Sequence, residues 1–251
     1  MFKQKQMKLL AACAAIGSAT VLGGWGPLAH AAPAAGVPFK LVTETRPSSV
    51  EKFFAVEKAA YELCASSAKF MKLPVKPLAA LPADFVTSRE TFASDGKRST
   101  YIQLQQRLDT ENNTPKQGCA TKIVAETSVF IYGGGKNLSY GVGSDGKRSD
   151  INDGDLPPRA LDKSADYVQA RQIKGVAVQC ASPALLSKEL VTERCVASAN
   201  GKPLLDAAGR LAPAYERVRD ADRDLELRRD PVSLQVGGKV DPALFNPDTA
   251  R

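Results

Sequence analysis

Histidine and tryptophan are almost missing: His30 and Trp25 are the only ones in the chain, and both lie near its start. Beyond residue 30 there is therefore no Ser–His–Asp or Cys–His catalysis and no metal site that uses imidazole. No C-x-x-C occurs among the five cysteines, Cys13, Cys64, Cys119, Cys180 and Cys195, which disfavours a thioredoxin-like or zinc-ribbon site. After residue 22 no apolar run approaches the roughly 18–20 residues that span a bilayer as a helix. Dense basic clustering of the kind that marks nucleic-acid binders is also lacking.

What is present at the start reads as an export signal. Lys3, Lys5 and Lys8 precede an uncharged apolar stretch from Leu9 to Leu22; Gly23 and Gly24 break it, and Ala29-His30-Ala31 supplies an A-x-A cleavage site. Residues 1–31 are expected to be a cleaved signal peptide, with a periplasmic or secreted chain beginning at Ala32. Leu10-Ala11-Ala12-Cys13 has the form of a lipobox, but only four apolar residues separate Lys8 from Cys13, against the usual ~7–15. Cleavage removes three lysines and lowers the formal charge from +7 to +4.

Four cysteines then remain, an even number in an exported chain, which favours two disulfides. Ser48-Ser49-Val50-Glu51 has the S-x-x-E form of a capping box. Phe53, Val56, Ala60, Leu63, Ser67 and Phe70 follow at helical spacing, with Cys64 beside that stripe. Cys119 shares the parity of an alternating strand, Thr121 to Ile131, so a Cys64–Cys119 bridge would pin the helix to the sheet. Cys180 and Cys195, separated by a short excursion, are the second expected pair.

The organisation expected from pattern is α+β: an antiparallel sheet built from hairpins, with an N-terminal helix and further helices packed on it. Residues 32–47, with three prolines, read as a leader arm; 48–230 as a single domain; 231–251 as a flexible tail. Strands Val86–Ala93 and Thr100–Leu108 flank an Asp-Gly turn, and 121–132 and 137–143 flank Gly133-Gly134-Gly135-Lys136. Ser-Asp-Gly-Lys-Arg-Ser occurs at 94–99 and again at 144–149, but the flanks differ, so the pair reads as two independent turns. Pro158–Arg171, Pro183–Glu193 and Ala214–Arg229 read as helices, Ile173–Cys180 as a strand, and Asn200-Gly201 as a hairpin turn.

Motifs for chemistry are few. Ser66-Ser67-Ala68-Lys69 has S-x-x-K spacing, but Ser66 falls near a helix end and no K-T-G follows. Gly133-Gly134-Gly135-Lys136-Asn137 lacks the hydroxyl residue and the helix of a phosphate loop. Asp150, Asn152, Asp153 and Asp155 concentrate hard oxygen ligands and form a candidate calcium loop, without EF-hand order. An up-and-down meander would bring Lys97, Arg98 and Lys136 to one end as a patch for an anionic ligand, with Lys147 and Arg148 apart from it. No known family emerges. The exclusions favour a non-catalytic envelope protein, a binding, adaptor or assembly factor whose partner is an envelope protein or anionic envelope polymer. A carboxylate-based hydrolase and a structural surface protein are the alternatives.

Overall fold

The structure, a computed structural model, describes residues 36–110, 114–116, 118–154, 164–186 and 190–250. The expected signal peptide falls outside them. In chain order the elements are β1 (Phe39–Pro47), α1 (Val50–Phe53), α2 (Ala55–Phe70), β2 (Ser88–Ser94), β3 (Arg98–Asp109), β4 (Lys122–Gly133), β5 (Lys136–Val142), β6 (Asn152–Gly154), β7 (Tyr167–Ile173), β8 (Val176–Ala181), β9 (Val191–Ala199), β10 (Lys202–Pro203), β11 (Pro213–Asp220) and β12 (Leu225–Val236). Eleven strands lie side by side in the order β6-β5-β4-β3-β2-β1-β12-β11-β9-β8-β7, and β10 pairs with β9. All these strand pairings are antiparallel.

This corrects the α+β expectation: the fold is a large antiparallel sheet, and among the described residues α1 and α2 are its only α-helices. The segment read as a leader arm supplies β1, at the middle of the sheet between β2 and β12. Its prolines stand outside or at the end of Phe39–Pro47, and within it Phe39, Leu41 and Thr43 alternate buried against less buried neighbours. Residues 214–229 form β11 and β12 rather than a helix. Their mixed charges pair across strands, Arg217 with Glu226 at 2.7 Å and Arg229 with Glu216 at 3.4 Å, not along one helix face. The described part of 158–171 is a 3₁₀ turn and the edge strand β7; that of 183–193 is a 3₁₀ turn and the start of β9.

The hairpins form around the anticipated turns. Asn200 and Gly201 have φ of +50° and +72°, the positive values that the twist-matching two-residue turn needs. The strand expected over Ile173–Cys180 is corrected too: Lys174-Gly175 forms such a turn, so Ile173 ends β7 and Val176 opens β8. At the first Asp-Gly turn, Gly96 has φ +88°, and a Cβ there would lie 2.7 Å from the Gly36 carbonyl oxygen, so only glycine fits. The helix begins one residue later than the capping-box reading. Ser49 Oγ accepts from Lys52 N–H at 3.2 Å, while Ser48 Oγ accepts from Glu226 N–H.

Both bridges are present. Cys64–Cys119 joins α2 to the residues before β4, and Cys180–Cys195 joins directly opposed positions of β8 and β9. Phe39 and Leu41 of β1 share a core with Val176, Val178 and Cys180 of β8 and Cys195 and Ala197 of β9. Three strands separate β1 from β8 in the sheet, so the sheet curls to bring these side chains together. The face carrying Phe39 and Leu41 is therefore the inner face.

The outer face is covered by other parts of the chain. Ile102, Val129, Ile131 and Tyr140 pack beneath Leu244 and Ala250, and Ala93 beneath Val240 and Phe245. Tyr140 OH donates to the Ala250 carbonyl at 2.8 Å. The segment read as a flexible tail thus completes β12 and then closes one side of the sheet, because its apolar residues have a face to bury against.

Candidate functional site

Strand register builds the site. Across the inner face, Glu126 (β4), Gln105 (β3), Ser88 (β2), Thr45 (β1), Arg229 (β12), Glu216 (β11) and Arg194 (β9) lie opposite one another in a single row. Directly opposed residues of antiparallel strands point to the same face, so seven polar side chains share one surface. The next row carries Ser128, Gln103, Glu90 and Thr43, and the one beyond it Phe130, Tyr101, Phe92, Leu41 and Leu234. The inner face thus passes from an apolar core at one end to a polar groove at the other.

A cavity of about 430 Å³ opens over the polar rows, with Thr45, Ser88, Glu90, Gln103, Gln105 and Arg229 among its walls. Charges inside it are chained. Arg229 donates to Glu90 at 2.9 Å and to Glu216 at 3.4 Å, and Glu216 also accepts from Arg194 at 2.8 Å. Glu90 is 1 % exposed. One of its carboxylate oxygens, Oε1, also lies 3.5 Å from Gln103 Nε2 and 3.4 Å from Ser88 Oγ.

The other oxygen is different. Among the described residues, Glu90 Oε2 is buried with no hydrogen-bond partner, as are Thr43 Oγ1 opposite it and Arg229 Nε in the adjoining row. Leaving a buried polar group unpaired costs roughly 1–3 kcal/mol each. Glu90 and Arg229 line the cavity, with Thr43 opposite Glu90, so the cluster is unmet hydrogen-bonding capacity beside the groove. Next to it, burial, then the Glu90 charge and a hydrogen bond to the Glu90 carboxylate push the Tyr101 hydroxyl well above the ordinary tyrosine range, so it stays protonated and serves as a donor to Glu90. Tyr101 stacks between Phe92 and Phe130, with ring centroids 4.6 and 5.8 Å away.

The residues singled out from sequence lie elsewhere. Arg98 and Lys136 both oppose Gly133, which sets them in one row at the tip of β3, β4 and β5, with Lys97 in the turn beside Arg98. Each of the first two has an acidic neighbour: Arg98 pairs with Asp95 at 2.8 Å and Lys136 with Asp153 at 3.3 Å. Arg98 also lies over the Phe245 ring. Lys147 pairs with Asp145, and Arg148 with Asp248 and the Pro247 carbonyl, past the other end of β5. Of the candidate calcium residues, Asp153 faces Lys136, Asp155 lies outside the described residues, and Asp150 and Asn152 are exposed. Among the described residues no three His, Cys, Asp or Glu side chains gather as a metal site.

The groove escaped sequence reading because its residues come from seven strands, and no two of its charged members are close enough in sequence to make a motif. One signal was available. In β2 and β3 the inward positions Ser88, Glu90, Gln103 and Gln105 are polar in strands whose outward positions include Ile102 and Leu108. Hydrophobic burial on one face and polar side chains on the other is ordinary; here the polar side turned out to be the inside of the curl.

No family model and no curated protein matches the sequence. Among solved structures the chain is similar to a DUF1329 family protein from Desulfovibrio piger, at 10 % identity and a TM-score of 0.30, over 87 % of this chain and 92 % of that one.

Proposed function

We propose that this is an exported, non-catalytic binding protein that holds a hydroxyl-rich ligand, a sugar segment of an envelope polymer, in its inner groove. The observation that carries the reading is a cluster of buried, unpartnered polar atoms: Glu90 Oε2 and Arg229 Nε on residues that line the cavity, and Thr43 Oγ1 opposite Glu90. Carboxylate and hydroxyl oxygens accept and a guanidinium donates, so a ligand must offer both kinds of group close together. Hydroxyls do this. The amides of Gln103 and Gln105 add adaptable donors and acceptors. Two disulfides are compatible with an exported chain, and among the described residues no helix is long and apolar enough to cross a membrane. The Lys97, Arg98 and Lys136 tip is an accessory contact in this reading, since exposed cations, two of them already paired, attract weakly and lose that attraction in salt.

A carboxylate-based hydrolase is the second reading, favoured by Glu90, Glu126 and Glu216 lining one cavity. Against it, Arg229 ties Glu90 and Glu216 into one ion-pair network, which holds both carboxylates on a protein partner instead of leaving them free for a substrate. Calorimetric titration with soluble glycan-strand fragments of cell-wall polymer separates the readings. Saturable binding should weaken about tenfold in Gln103→Ala, the loss of roughly one hydrogen bond. Shortening of the fragments during the titration would support the hydrolase instead, and absence of binding to any fragment would overturn the groove proposal.

A further inference from the structure

The apolar stripe read from the sequence of α2 points away from the protein. Val56 is 60 % exposed, Leu63 72 % and Phe70 91 %, whereas Cys64, Ala65 and Ala68 make the buried side. At about 100° per residue the three large side chains, seven residues apart, fall within about 40° of arc, roughly 150° from the buried side. The Cys64–Cys119 bridge fixes this rotation, because Cys119 is fully buried and holds Cys64 inward. A heptad of Val, Leu and Phe is thus displayed on the outer side of a sixteen-residue helix.

We propose that this stripe is a dimer interface with a second copy of the chain, formed by two α2 helices packed antiparallel. The pattern itself names the occupant. Between the large residues the stripe carries small ones, Ala59 and Ser66, both exposed. In an antiparallel pair related by a twofold axis, Leu63 meets Ser66 of the second copy and Phe70 meets its Ala59, so each of these layers holds one large and one small side chain, with Val56 beyond the overlap at the helix start. A parallel pair would set large against large and small against small, leaving alternate layers overfilled and empty. The flanking charges agree with the same register. Glu62 comes opposite Lys69 of the second copy, and the twofold axis repeats the contact, so one helix carries both halves of a charge-matched pair. Among the described residues neither Glu62 nor Lys69 is in an ion pair within its own chain, although Lys58 of the same helix is. This inference is independent of the groove, which lies on the inner face of the sheet.

Sedimentation equilibrium of the exported, disulfide-bonded protein over a range of concentrations tests it. The expected result is a reversible monomer–dimer equilibrium that Leu63→Glu abolishes, with thermal melting of the dilute variant little changed because Leu63 is 72 % exposed. Glu62→Lys alone and Lys69→Glu alone should each weaken association roughly tenfold, through two like-charge contacts per dimer, and the combined variant should regain the original affinity. A monomer at every concentration overturns the proposal, as does a dimer indifferent to Leu63→Glu or a combined variant that stays weak. A monomer that instead binds phosphatidylglycerol vesicles through Leu63 also overturns it, by making the occupant a lipid surface.

Discussion

Arg229 donates to two carboxylates, and one of them, Glu90, has almost no access to water. Removing the guanidinium would leave that charge buried without compensation, so Arg229→Ala should destabilise the protein by about 3–5 kcal/mol in urea unfolding. Replacing Arg229 and Glu90 together by methionine should cost less than Arg229→Ala alone, since no orphaned charge remains. A loss of under about 1 kcal/mol from Arg229→Ala would mean that the groove is wet enough to solvate Glu90. A second residue-scale effect sits at the first Asp-Gly turn. Burial alone would raise the Asp95 carboxyl, but N–H donors of Arg98 and Lys97 at 2.7 and 2.9 Å, with the Arg98 side chain, hold it below 3.8. A carboxylate depressed in the folded state contributes stability above its unfolded pKa and loses it as pH falls through the folded one. Asp95→Asn should accordingly be less stable than the parent at pH 7, and the gap should close in acid below 3.8; urea melts at the two pH values measure it. A constant gap would assign the effect to turn geometry instead of charge.

At the scale of elements, legibility followed local chemistry. Hairpins around Asp95-Gly96, Gly134-Gly135 and Asn200-Gly201 could be anticipated because glycine, which takes positive φ at each of them, announces a turn by type. The helix 49–70 was visible in its period, yet its orientation was not, since a stripe does not say whether it faces a core or a partner. The sequence of 214–229 fits a single helix, because Ala214, Val218, Ala221 and Leu225 match a 3.6 period while the charges that pair across β9, β11 and β12 imitate i,i+4 pairs. The two disulfides act on different elements. By chain entropy the 55-residue separation of Cys64–Cys119 contributes ~4 kcal/mol and the 15-residue separation of Cys180–Cys195 ~3 kcal/mol. The buried side of α2 consists of Cys64 and two alanines, and besides the bridge the helix is held by Phe54 at its start and by Tyr61, whose hydroxyl donates to the Lys76 carbonyl. Replacing Cys64 and Cys119 by serine should let α2 amides exchange near their unprotected rate while β2–β4 remain protected, whereas replacing Cys180 and Cys195 should lower stability without exposing β8, already paired on both sides. Uniform loss of protection after the first replacement would show that α2 is integral to the sheet.

The described sheet is two local meanders joined by β1 and β12, near the ends of the described chain. Residues 88–154 build β2 to β6 and residues 167–220 build β7 to β11, each largely from neighbouring hairpins. Among the described strands nothing in the sheet connects the two except β1 paired with β12, where Glu44 stands opposite Asp230 and nearly the whole described chain lies between the partners. The same closure assembles the groove, because Thr45 and Arg229 belong to β1 and β12, Ser88 and Glu90 to one meander and Glu216 to the other. Contacts of long sequence separation form late, after the loop entropy of both meanders has been lost. Leu41, fully buried on β1 in the core shared with β8 and β9, should report that late step. Leu41→Ala is expected to cost about 2–5 kcal/mol, appearing mainly as faster unfolding with little change in refolding rate. Val129→Ala, fully buried inside the first meander, should instead slow refolding, since that meander forms before the terminal strands meet. Stopped-flow refolding and unfolding of both variants decides between this order and its reverse: if Leu41→Ala slows refolding as much as Val129→Ala does, the terminal strands pair early and nucleate the sheet from its middle.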